Sequence, residues 1–175
     1  MAVTRRSQAR MLALQALCAF DAVGDPFETQ LDELLRDPQA HADLQIERLS
    51  ATLLDFARAL ALGTWKQRKT LDEKLAQTAA HWSLARMTPV DRNILRIGLH
   101  ELLEHPETPP QVVINEAIEL ARRFGDADSP GFVNGVLDAV RRACGIPAEP
   151  KVNPATSDSA QSGVQDGEKG DDGSV

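Results

Sequence analysis

Three helix starts with the same grammar divide the second half of this chain, and they restrict it more than any other feature. Thr88-Pro89, Pro109-Pro110 and Ser129-Pro130 each place proline where a helix begins. There the missing N–H costs nothing and the fixed φ is already helical. Thr88 supplies a capping hydroxyl, and Asp91 puts negative charge in the first turn. Stops follow at Pro106, Gly125 and Gly145. Between starts and stops the apolar residues recur at helical spacing: Leu95, Leu99 and Leu102; Val113, Ile114, Ala117, Leu120, Ala121 and Phe124; Phe132, Val133, Val136, Leu137 and Val140. Short amphipathic helices joined by short loops predict one all-α domain.

The first half reads the same way, with weaker punctuation. The pattern predicts helices over about 4–22, capped by Thr4, and about 27–36, ended near Pro38. It predicts a third over about 43–62, stopped by Gly63 as a C′ residue, and a fourth over about 64–80. Residues 83–87 read as one further helical turn. Seven helices and no strand are expected. After Pro147 the composition turns to Gly, Ser, Asp, Pro and Gln, which cannot offset ordering entropy by burial. The expected organisation is a helical domain over 1–145 and a disordered acidic tail over 146–175.

Charge and chemistry narrow the function classes. The net charge is −7, which argues against nucleic acid until its distribution is seen. The residues from Ile146 onward carry six acids and two bases, a net of −4, so the rest holds −3. The first twenty residues carry Arg5, Arg6 and Arg10 and no acid. Local potential, not the total, governs binding of a polyanion. Cys18 and Cys144 form no CxxC pair, and the four histidines lack metal-site spacing, so neither a cofactor nor a metal is expected. Phosphate loops and the GxSxG and HExxH signatures are missing, which points away from an enzyme. No apolar run is long enough to cross a bilayer. The arginines before MLALQALCAF resemble a leader, but Gln15 interrupts that run and the stretch reads better as a core helix; the expected compartment is the cytoplasm.

Three segments carry a resemblance to a known family. SLARMTPVDRNILRIGLHELL from Ser83, VVINEAIELARRFGDADSPGFVNGVLDAV from Val112, and RRSQARMLALQAL near the start are similar to the NusB (N-utilisation substance B) transcription antitermination family. The resemblance spans roughly residues 4–144. It implies two helical bundles, and a partnership with NusE, a small-subunit ribosomal protein. It further implies binding of single-stranded boxA RNA in ribosomal RNA leaders and work within an RNA polymerase antitermination complex. The alternative is a protein-only scaffold or homodimer of the same fold with little RNA affinity.

The residues that would carry RNA binding follow from both readings. Arg6 and Arg10 are four apart and share a helix face, with Arg5 adjacent. Cations crowding a helix start break a local electrostatic rule, as functional residues often do. All three are expected to contact phosphate. Phe124 and Phe132 flank the loop GDADSPG and would stack unpaired bases. The resemblance adds Gly125, Asp128 and Ser129 at the same surface. It also assigns Asp91, where the family usually has Glu, and Cys18, where many members have Tyr, to the NusE side. Asn115 and Asn134 read as buried fasteners, and Gly98 and Gly135 as points of close helix approach.

Overall fold

The computed structural model describes residues 4–23, 27–46, 48–78 and 87–148. The acidic tail from residue 149 onward and the helical turn expected at 83–87, Met87 excepted, therefore lie outside the described residues; Ile146, expected in the tail, packs against the core. Seven helices account for the described chain: α1 (Arg5–Val23), α2 (Phe27–Leu35), α3 (Pro38–Asp43), α4 (Ala51–Thr78), α5 (Pro89–Glu104), α6 (Pro110–Phe124) and α7 (Ser129–Ala143). The described residues contain no strand. Helices α1, α2 and α4 pack on one another, as do α5, α6 and α7, and α5 also packs on α1 and α4. Two bundles thus share one continuous core, with α5 at their seam.

The caps form as the sequence dictates. Thr4 Oγ1 accepts from Ser7 N–H at 3.1 Å. Thr88 Oγ1 accepts from Asp91 N–H at 3.1 Å and donates to Asp91 Oδ2 at 3.0 Å, which closes the first turn of α5 in both directions. Asp37 caps α3 by accepting from Gln39 N–H at 3.0 Å. Pro38 is therefore the first residue of a short helix, not the end of α2.

The largest departure from the pattern is α4. It runs unbroken through Gly63, where the sequence predicts a stop. The glycine serves packing instead. A Cβ there would sit 2.4 Å from His100 Nε2 and 2.7 Å from its Cε1, so only a bare Cα lets α5 lay its imidazole against α4. The helix count matches expectation, but the partition of residues 38–78 does not. Gly98 on α5 meets its expected role: a Cβ would lie 2.7 Å from Leu137 Cδ1 on α7.

Helix α5 is buried on nearly every side. Asn93 through Leu102 are all buried, among them Asn93, Arg96, His100 and Glu101. Charges in such a place must be paired. Arg96 holds Asp72 bidentately at 2.8 and 2.6 Å and reaches Asp21 at 3.1 Å. Arg92 and Asn93 also donate to Asp21, at 2.9 and 3.1 Å. Burial by itself would raise the Asp21 carboxyl; the hydrogen bonds and charges of Arg92 and Arg96 outweigh it and hold the group below its ordinary value. Helix α5 is thereby ion-paired to both α1 and α4.

Candidate nucleic-acid interface

The N-terminal arginines divide into two kinds. Arg5 and Arg6 are exposed. Arg10 is only 2% exposed, and its guanidinium grips Glu101 at 2.8 and 2.6 Å and meets Glu116 at 3.3 Å. Burial alone would lower its pKa, but the two carboxylates raise it, so it stays charged. Arg10, expected to contact phosphate, is thus buried and ion-paired within the protein. Its place is structural. It ties α1 to α5 and α6, and Ser7 Oγ adds a hydrogen bond to Glu116 Oε1 at 3.0 Å.

That tie fixes where Arg5 and Arg6 stand. Ser7 and Arg10 both meet Glu116, near the middle of α6, so the start of α1 lies beside that helix. Phe124 is eight residues further along, roughly 12 Å at 1.5 Å per residue. Arg123 lies two turns beyond Glu116 on the same side of α6. Its guanidinium carbon sits 5.5 Å from the Phe124 ring centroid, and its Nη2 donates to Leu44 O at 3.3 Å. Arg122 is exposed and paired with Glu119.

The loop after α6 has a definite shape. Gly125 is extended, and a Cβ on it would meet Ser129 Cβ at 2.6 Å and Ala121 O at 2.8 Å, so the turn needs glycine. Ser129 is 4% exposed, and its Oγ accepts from Asp126 N–H at 3.0 Å. Ser129, expected at the RNA surface, therefore also folds the loop that carries Asp128. Asp128 is exposed and makes no capping bond to α7. Phe124 and Phe132 are half-buried, so each is anchored in the core and retains accessible ring surface.

The two residues expected to face a protein partner are neighbours at the opposite end of α1. Cys18 is partly exposed; its Sγ contacts Pro89 O at 3.8 Å and accepts from Asn93 Nδ2 at 3.7 Å. Burial pushes its thiol above the ordinary value, with Asn93 opposing, so it is a weak nucleophile. Asp91 lies in the first turn of the helix that Pro89 starts and is 8% exposed; its Oδ1 has no hydrogen-bond partner among the described residues.

Sequence reasoning missed two groups. Phe56 on α4 lies under the arginines, its ring centroid 5.3 Å from the Arg6 guanidinium carbon and 5.6 Å from that of Arg10. Glu101 and Glu116 are the partners that remove Arg10 from the surface. They stand ninety or more residues away in the chain, and no local pattern links them. Asn115, Asn134 and Gly135 are exposed, with open space where a Gly135 Cβ would stand, so they are neither fasteners nor close-approach points. The apolar stripes of α6 and α7 pass between them.

Among the described residues no helix is long and apolar enough to cross a membrane. The profile of the NusB family matches residues 7–142. The transcription antitermination protein NusB of Symbiobacterium thermophilum is 41% identical over 138 residues, covering 78% of this chain and 89% of its own. The structure of T. maritima NusB matches with a TM-score of 0.66 at 31% identity, over 81% of this chain and 93% of that one. A chain in the crystal structure of antitermination factors NusB and NusE in complex with dsRNA matches at 0.65 with 26% identity, over 79% and 97%. With the family profile spanning α1 to α7 and the helical architecture agreeing, this chain belongs to the NusB family.

Proposed function

We propose that this protein is a transcription antitermination factor. It binds boxA-type RNA of ribosomal RNA leader transcripts together with NusE and promotes read-through by RNA polymerase. It acts in the cytoplasm as an adaptor that assembles other molecules, not as a catalyst. The family membership supports this reading, and a structural neighbour is a complex of NusB, NusE and dsRNA. The observation that carries it is the placement of Arg5 and Arg6: both exposed, at a helix start held against α6, whose far end bears the Phe124–Phe132 loop.

Each residue has a role in this reading. Arg5 and Arg6 supply unpaired positive charge and steer a polyanion. Phe124 and Phe132 offer ring faces to bases, and Asp128 offers acceptors to base edges or ribose hydroxyls. Gly125 and Ser129 hold the loop that presents them, and Arg10 holds α1. Cys18 and Asp91, at the other end of α1, face NusE. Docking there would give the unmatched Asp91 Oδ1 a donor.

The test is a fluorescence-anisotropy titration of labelled boxA RNA, single-stranded and duplex, with and without NusE. Binding to the single strand that tightens when NusE is added supports the proposal. Absence of RNA binding under both conditions, with NusE still captured in a pull-down, would leave a protein-only scaffold.

A further inference from the structure

Successive residues on a helix point about 100° apart, so Arg6 and Ser7 leave α1 in different directions. Ser7 turns to α6 through Glu116. Arg6 turns to α4, onto the ring of Phe56. Phe56 in turn meets the imidazole of His105 edge-on, with ring centres 6.3 Å apart, at the C-terminal end of α5. His105 is about a quarter exposed, and its Nδ1 lies 3.0 Å from Glu107 Oε1.

We infer that Arg6, Phe56 and His105 form a second nucleic-acid contact, a stacking site for one unpaired base. The inference rests on the RNA-binding function proposed above and extends it from Arg6 to Phe56 and His105, which that function does not use. Phe56 is set apart from the other described aromatic side chains. Phe20, Phe27 and Trp65 bury one another in the core, with centroids 4.6 to 6.4 Å apart. Phe124 ends α6 and Phe132 lies in the first turn of α7, on either side of the loop. Phe56 alone is half-buried beneath two guanidinium groups. One of these, Arg10, is bound to two carboxylates. The other, Arg6, is exposed; among the described residues no carboxylate lies within ion-pair distance of it, although Glu107 beside His105 feels its charge. A guanidinium held against a ring is pre-ordered: its outer face remains open to a base, while its charge stays available to the adjoining phosphate. His105 borders the same spot with a second planar ring.

Arg6→Lys separates stacking from charge, because lysine keeps the cation and loses the planar face. Binding of labelled single-stranded boxA RNA is measured by anisotropy across a salt series. Arg6→Lys and Phe56→Leu are expected to weaken binding about tenfold with the log–log salt slope unchanged, since stacking releases no counterions. Phe56→Tyr, which retains the ring, is expected to bind as wild type. Far-UV circular dichroism checks each fold; should Phe56→Leu not fold, Arg6→Lys decides alone. Wild-type affinity in Arg6→Lys overturns the stacking site, as does equal weakening by Phe56→Leu and Phe56→Tyr. Failure of the wild-type protein to bind the RNA overturns the proposed function together with this inference.

Discussion

At the scale of single residues, burial decides what a charge can do. Arg5, Arg6 and Arg10 look alike in sequence, five positions apart at most, yet one of them is a core residue. Arg10→Ala would leave the Glu101 carboxylate buried without its partner, a change that typically costs ~3–5 kcal/mol. Urea denaturation is expected to show a loss of that order, and Arg10→Ala/Glu101→Ala to lose less than Arg10→Ala does. A loss under 1 kcal/mol would mean the pair is dispensable. His100 gives a second test. Burial first, then the nearby charge of His105, lower its pKa from the ordinary 6.5, with Glu104 opposing. The unfolded chain therefore takes up the proton before the folded one does. The stability tied to neutral His100 is complete above pH 6.5 and is lost as the pH falls from there through the folded-state value. The urea midpoint should drop between pH 7.5 and 5.5, and His100→Gln should flatten that drop. Identical pH dependence in both proteins would remove His100 as its source. Neither feature was legible in the sequence, because each depends on partners from other helices.

At the scale of helices, proline and caps were readable and glycine was not. Thr88-Pro89 opens α5 with a local hydrogen bond that four consecutive residues specify by themselves. A glycine inside an apolar pattern has two physical meanings, a chain stop or a close contact, and only the neighbouring element decides between them. Gly63 and Gly135 show the two outcomes. Gly63→Ala gains about 1 kcal/mol of helix propensity but drives a methyl into the His100 ring, an overpacking that costs ~1–3 kcal/mol. Gly135→Ala makes the same gain with nothing in its way. Thermal melts are expected to rank Gly135→Ala above wild type and Gly63→Ala below it. Equal shifts in the same direction would mean that contacts at these glycines do not set their cost. The same logic explains the misread stretch from 38 to 78. Pro38 and Gly63 carry the usual signals of helix ends, but the Asp37 cap made one a start, and packing against α5 made the other an interior residue.

For the whole molecule, the apolar periodicity of α6 and α7 was enough to predict an all-α domain, and the family resemblance supplied the two bundles. How they join was not visible. The seam is α5, whose buried Asn93, Arg96, His100 and Glu101 interrupt the leucine stripe with polar residues that pair across to α1 and α4. The candidate interface depends on that seam. Arg10 and Ser7 clamp the start of α1, which carries Arg5 and Arg6, to Glu116 of α6, about two helical turns before Phe124. The most direct test of this arrangement is the salt dependence of boxA RNA binding by Arg5→Ala/Arg6→Ala, with Arg10 left in place. At about 0.7 per phosphate neutralised on a single strand, losing two cations should reduce the log–log slope by ~1.4 and weaken binding at low salt. A slope and an affinity equal to those of the wild-type protein would contradict the account, and would put the RNA on some other face.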